Sequence, residues 1–204
     1  MKNSIAVIAT GNLHKLQEIG EILKDFHLQT KSMKDVGLGD LEILEDGETF
    51  EENALIKAKT VMKKTGYMTI ADDSGLEVET LDCQPGIYSA RFAGENATDK
   101  DNNEKLLQML EGKPLVERRA RFVCVIAVVM PDGESFTVRG ELYGIIGFHP
   151  KGDKGFGYDP LFMTREYEGL SLAEISPEDK NKISHRGKAL DEMKKVLSER
   201  LRSE

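Results

Sequence analysis

The chain has 204 residues, 31% charged and 39% hydrophobic, with 19 glycines and 6 prolines; this excludes disorder, a collagen repeat and a coiled coil, and suits a single domain over 1–204 with a sizeable core. Its 36 acidic and 28 basic residues give a formal charge of −8, which disfavours a grip on nucleic acid but leaves room for a small polyphosphate met by local cations or a divalent metal. Cys83 and Cys124 form neither a disulfide framework nor a CxxC metal spacing, and the longest apolar run, Phe122–Met130, is far short of the roughly 18–20 residues of a membrane span, so a cytoplasmic protein that binds no membrane is expected.

Ile5–Ala9 is a short, largely β-branched run closed by Gly11 and Asn12 and reads as a buried strand. Leu13, Leu16, Ile19, Ile22, Leu23 and Phe26 follow at helical spacing. Gln29–Leu44 reads as irregular. Thr49-Phe50-Glu51-Glu52 has the form of a capping box, with Glu52 reaching back to the Thr49 amide, and the helix behind it is predicted to run to Thr65 and stop at Gly66. Tyr67–Ala71 is a second short strand, closed by Asp72-Asp73-Ser74-Gly75, and Leu76–Leu81 can continue in extended form; Pro85-Gly86 signals a turn.

Thr98 with Asp101 caps a further helix carrying Leu106, Leu107, Met109 and Leu110. Arg121–Met130, Pro131-Asp132-Gly133 and Ser135–Arg139 make the clearest hairpin, with Glu141–Gly147 as a separate strand after it. Lys151–Tyr158 is a glycine-rich loop. Ser176-Pro177 starts the last helix, whose core stripe is Ala189, Leu190, Met193, Val196, Leu197 and Leu201. The class is mixed α/β.

No phosphate loop of the GxxxxGK[ST] type, HExxH, GxSxG or GxGxxG motif is present. Four polar segments remain, at the strand ends where open α/β sheets bind ligands. Thr10-Gly11-Asn12 with Lys15 opens a helix, so amide N–H groups and the helix dipole suit a phosphate, although a plain cap with a surface lysine has the same pattern. Asp72-Asp73-Ser74-Gly75 sets two carboxylates side by side, costly without a cation, yet an Asx-type turn reads equally well. Gly155-Phe156-Gly157-Tyr158-Asp159-Pro160 lets backbone approach a flat ligand with a ring free to stack, or is a surface loop with one anchoring ring. Ser184-His185-Arg186-Gly187, with Lys180 one turn earlier, crowds cations into the first half of a helix, where an anion would compensate, or is a solvated face beside Glu178 and Asp179.

In this order the segments resemble the inosine triphosphate pyrophosphatase family. The resemblance is carried by IATGNLHKLQEI (Ile8–Ile19), GETFEENALIKA (Gly47–Ala58), IADDSGLEVETLDCQPGIYSARFAG (Ile70–Gly94), FGYDPLF (Phe156–Phe162) and SHRGKAL (Ser184–Leu190). It implies an elongated mixed α/β fold with a central sheet flanked by helices, two lobes and a deep cleft between them, a homodimer, and Mg²⁺. The activity it implies is hydrolysis of dITP, ITP and XTP to the monophosphate and pyrophosphate, which cleanses the nucleotide pool before these bases enter DNA and RNA.

By the same resemblance Thr10, Gly11, Asn12, Leu13, His14 and Lys15 hold the triphosphate. Glu45, with Glu42 and Asp46 close by, and Asp73 bind the metal; Asp73 is also the proton acceptor, and Ser74 contacts substrate. Phe156, Gly157, Tyr158 and Asp159 form the base-recognition loop, Tyr158 supplying a stacking ring, and Lys180, His185 and Arg186 complete the substrate contacts. The chemistry fits these roles. A leaving pyrophosphate calls for a cation and a lysine, and Mg²⁺ takes one or two carboxylates with waters and phosphates. A donor-only guanidinium such as Arg186 meets the 6-oxygen of hypoxanthine or xanthine but clashes with the amino group of adenine, a mismatch worth about 1–3 kcal/mol. A pyrophosphatase for another modified base and a nucleotide sensor that does not cleave are the rival readings.

Overall fold

The computed structural model describes residues 5–200, without the side chains of Leu13, His14 and Glu18; Leu201 of the expected helix stripe lies outside it. The elements run β1 (Ile5–Ile8), α1 (Leu13–Lys24), β2 (Gln29–Ser32), α2 (Phe50–Thr65), β3 (Met68–Val78), α3 (Asp99–Met109), β4 (Arg119–Val129), β5 (Ser135–Ile146), β6 (Phe162–Thr164), α4 (Pro177–Ile183) and α5 (His185–Arg200). The strands form a six-stranded sheet in the order β2-β1-β3-β4-β5-β6. The expected mixed α/β class, a central sheet with flanking helices, is what forms. Among the described residues no helix is long and apolar enough to cross a membrane.

The chain divides into two compact units, Met1–Asp73 with Val125–Arg139 and Ala189–Glu204, and Ser74–Cys124 with Gly140–Lys188. In the first, β1 pairs in parallel with β2 (Ile5 opposite Gln29) and with β3 (Ala6 opposite Met68). Its apolar runs are buried without alternation, as parallel strands covered on both faces require: Ala6, Val7, Ile8, Ile70 and Ala71 are fully buried. Three helices add buried stripes: Ile19 and Leu23 from α1; Phe50, Ala54, Ala58 and Val61 from α2; Ala189, Leu190, Met193 and Leu197 from α5. In the second unit, Leu76, Val78, Leu106, Leu110, Phe122, Leu142, Ile146, Leu161 and Phe162 form a core, and β5 pairs antiparallel with β6 (Ile145 opposite Met163).

Several expectations are corrected. Gln29–Ser32 is a strand, not irregular chain; at the sheet edge it needs no apolar alternation, and Gln-Thr-Lys-Ser shows none. Asp72-Asp73-Ser74-Gly75 is not a turn: β3 runs through it without a break. Glu141–Gly147 is no separate strand, since Ser135–Ile146 is continuous. The expected single last helix breaks at Ser184, whose extended backbone (ψ 151°) ends α4. The capping box at Thr49 is half formed. Thr49 Oγ1 accepts from Glu52 N at 3.1 Å, but the Glu52 carboxylate accepts from Glu48 N at 2.7 Å. The box at Thr98 and Asp101 is complete, with bonds of 2.8 and 3.2 Å.

Candidate active site

Asn12 opens α1. Its side chain accepts from Lys15 N at 3.3 Å, while its own N–H donates to Thr10 Oγ1 at 3.1 Å. These local bonds turn the chain sharply out of β1 at Gly11, which is exposed and has nothing within 4 Å of the place a side chain would occupy. Thr10, Gly11 and Lys15, with Met33, Leu41, Ile43, Glu45, Lys57 and Asp72, line a cavity of about 210 Å³. Leu13 and His14 belong to the first turn of α1; their side chains lie outside the described residues. Lys15 Nζ sits 2.5 Å from Asp72 Oδ2, and that carboxylate is only 4% exposed.

Residues 41–45 alternate inward and outward. Leu41, Ile43 and Glu45 are partly buried and line the cavity while Glu42 and Leu44 are exposed, so the alternation selects Glu45 among the neighbouring acids to face the cavity. Gly47 then lies so close to α2 that a side chain there would collide with Glu52 and Asn53, and its N–H donates to Asn53 Oδ1 at 2.9 Å. Sequence reasoning missed Asn53 and Lys57. Four apart, they project from one face of α2 toward the acids. Lys57 Nζ stands 2.9 Å from Glu45 and 3.0 Å from the Asp72 carbonyl, while Asn53 hydrogen-bonds the Asp73 carboxyl. The signal was present: a fully polar Asn53 stands beside Phe50, Ala54 and Ala58 on a helix stripe that is otherwise apolar.

Burial pushes the Asp73 carboxyl up to about 6; Lys57 and the Asn53 hydrogen bond oppose the rise, and Glu45 and Asp72 add to it. The structure therefore brings Lys15, Glu45, Asp72 and Asp73 together with Lys57 within the first unit. Among the described residues no three His, Cys, Asp or Glu side chains cluster tightly enough to hold a metal by themselves.

The remaining candidates lie in the second unit. Gly155 is left-handed (φ +78°), and a side chain there would collide with the Asp159 carboxylate, which accepts from Phe156 N at 2.8 Å and pairs with Lys180 Nζ at 2.5 Å. Asp159 and Lys180 thus close the loop through each other. The expectation that Tyr158 supplies the free stacking ring is corrected. Tyr158 is 4% exposed, packed in the core with its hydroxyl donating to Ser89 O at 2.8 Å, and burial raises its hydroxyl pKa. The exposed ring is Phe156, 59% accessible, with Lys180 Nζ 4.6 Å from its centre.

Ser74 is half-buried on β3. Ser184 ends α4 and caps α5, accepting from Gly187 N at 2.9 Å; Gly187 is required because a side chain there would collide with Asn181 O. His185 and Arg186 therefore start a helix of their own instead of following Lys180 along one, and the His185 ring stacks on Phe122 at 5.0 Å.

The comparisons with known proteins agree with the resemblance read from the sequence blocks. The chain is 47% identical over 197 residues to a Clostridium perfringens protein named dITP/XTP pyrophosphatase, covering 94% of this chain and 96% of the relative. It is 51% identical to a Thermoanaerobacter protein of the same name, covering 96% and 97%. The solved structure of the Staphylococcus aureus Ham1 protein superposes with a TM-score of 0.90 at 40% identity, covering 97% of this chain and 100% of that one. A Mycobacterium abscessus structure described as nucleoside-triphosphatase / dITP/XTP pyrophosphatase gives 0.81 at 41% identity, covering 93% and 98%. With the family's profile matched across residues 6–196, the chain belongs to the Ham1 family.

Proposed function

We propose that this chain is a Mg²⁺-dependent pyrophosphatase of deaminated purine nucleoside triphosphates (dITP, ITP and XTP), acting as a cytoplasmic homodimer that cleanses the nucleotide pool. The observation that carries the reading is Asp73, a carboxyl pushed up to about 6 among Glu45, Asp72 and Lys57. It stands in a chain half identical to relatives named for this activity. In the reaction, water adds to the α-phosphorus, the bond from that phosphorus to the bridging oxygen breaks, and pyrophosphate leaves with the electron pair.

Burial raises Asp73 first of all, Glu45 and Asp72 add to the rise, and the two carboxylates of Glu45 and Asp73, completed by substrate phosphates, suit a divalent cation. Glu45 and Asp73 would hold it, in keeping with the preference of Mg²⁺ for one or two carboxylates and substrate phosphates. When bound, the metal supplies charge stabilisation for the leaving pyrophosphate and a more acidic water. Asp73 is ionised at neutral pH yet more basic than an ordinary aspartate, and accepts the proton of the attacking water. Lys57 anchors Glu45 and moderates Asp73. Lys15, already held by Asp72, and the turn at Gly11 present an ammonium and backbone N–H groups to phosphate.

In the second unit the exposed Phe156 ring suits stacking on a base, and Arg186 offers only donors, which favours a 6-oxo purine over adenine. The test is pyrophosphate release from dITP, XTP, dGTP and ATP, each with Mg²⁺ and with EDTA. Metal-dependent release confined to dITP and XTP is expected. No release from either would overturn the reading, and tight dITP binding without turnover would make the chain a sensor.

A further inference from the structure

Two side chains of α3 hold Gly157 by both of its backbone polar groups. Asp99 Oδ2 accepts from Gly157 N at 2.6 Å, and Asn103 Nδ2 donates to Gly157 O at 2.8 Å. Asp99 and Asn103 are four residues apart, one above the other on the helix. The helix itself is fixed: the Thr98–Asp101 box sets the turn that carries Asp99, and Asn102 bonds Ala90 O and Ala93 N at 3.2 and 2.8 Å.

The neighbours of Gly157 are anchored in other ways, Phe156 through Asp159, and Tyr158 through its buried ring and Ser89. Only at Gly157, left-handed at φ +61°, is the peptide orientation imposed from α3. A trans peptide carries its C=O and N–H on opposite sides. With the Gly157 carbonyl turned toward Asn103, the Tyr158 N–H of that peptide points the other way, and it has no acceptor among the described residues. A flip of this peptide would put an acceptor where it now presents a donor, on the side away from α3. A donor matches the 6-oxygen of a deaminated purine, an acceptor the amino group of adenine.

We propose that Asp99 and Asn103 are positioning residues for base selectivity: Asn103 holds the Gly157–Tyr158 peptide so that the loop offers an N–H, and not a C=O, to the base, and Asp99 fixes the same glycine through its own N–H. The inference rests on the pyrophosphatase reading above. It is tested by kcat and KM for dITP and dATP in wild type, Asp99→Ala, Asp99→Asn and Asn103→Ala, with thermal melting of each. Asp99 is exposed, so its truncation leaves the core intact.

The expected result is a fall of about tenfold in the dITP-to-dATP ratio of kcat/KM for Asn103→Ala, whose bond is partly buried, and a smaller fall of about threefold for Asp99→Ala, whose bond is exposed. KM for dITP should carry more of the change than kcat, and Asp99→Asn, which keeps an acceptor oxygen, should restore the ratio. A ratio unchanged in both alanine variants of a selective wild type would overturn the inference and leave the activity standing. So would an equal loss on both nucleotides. A wild type silent on dITP would overturn the activity and this inference with it.

Discussion

Replacing Asp73 by asparagine separates what the residue costs the fold from what it gives the reaction. Its pKa is raised from 3.8 to about 6, chiefly by burial. Below about pH 4 both folded and unfolded chains carry the proton. Between about 4 and 6 the folded chain keeps a proton that the unfolded chain has lost, so stability falls by about 1.4 kcal/mol per pH unit as pH rises, and above 6 the fall is complete. The ionised carboxyl therefore costs up to about 3 kcal/mol at neutral pH. Asparagine removes the charge but keeps a buried amide, so the variant should be more stable by about 1–2 kcal/mol at pH 7.5, a rise of roughly 3–8 °C in Tm. The gain should shrink toward zero near pH 4. Urea unfolding of both proteins in EDTA at pH 4.5, 6.0 and 7.5, beside pyrophosphate release from dITP, measures each half. Turnover should fall about a thousandfold or more, with binding far less affected. A variant no more stable than wild type at pH 7.5, or a gap independent of pH, would refute the burial argument; near-normal turnover would remove Asp73 from the chemistry.

Lys57→Met takes away the ammonium 2.9 Å from Glu45 that holds the Asp73 pKa down. The acid limb of the pH–rate profile should move upward, and an unmoved limb would show that Lys57 does not govern Asp73. Lys15→Ala leaves the buried Asp72 carboxylate without that ammonium; unfolding free energy should drop by about 1–3 kcal/mol and KM for dITP should rise about tenfold, whereas unchanged kinetics would return Lys15 to a structural role. Phe156→Ala removes an exposed ring, so Tm should hold while KM for dITP rises about 5- to 150-fold, the worth of one stacked base; an unaltered KM would exclude stacking.

The parts of the fold that could be read in the sequence are those fixed by local chemistry. The Thr98 cap, the glycine stop at Gly66 and the Pro131-Asp132-Gly133 hairpin each need only neighbouring residues, and each forms where expected. The misread stretches are those where distant partners reverse the local preference. Asp72 and Asp73 have the composition of a turn, yet the chain stays extended as part of β3, which lies between β1 and β4 in the sheet, and Lys15 and Lys57, far away in sequence, meet the carboxylate and the carbonyl of Asp72. Gln29–Ser32 is a strand because β1 supplies its hydrogen bonds. Tyr158 and Phe156 carry equivalent sequence signals as stacking rings; only the core around Ser89 decides which one is buried.

The same logic explains why the candidate residues were easier to find than their partners. Asp73, Lys15 and Phe156 stand in short polar, glycine-bearing blocks that interrupt apolar runs, so pattern marks them as candidates and the family resemblance gives them roles. Asn53, Lys57, Asp99 and Asn103 stand inside helices, where a polar residue is ordinary, and their meaning lies in what they touch. Asn53 fastens Gly47 and Asp73 together, so the loop carrying Glu45 and the strand carrying Asp73 are referred to one helix. Asp99 and Asn103 do the same for Gly157 from α3. In both units a helix side chain, kept rigid by its own backbone, sets the place of a group on a segment that has no regular hydrogen bonding of its own. That division puts reactive groups on loops and strand interiors and their alignment on helices, and predicts that alignment residues will show themselves in selectivity and pH dependence before they show themselves in stability.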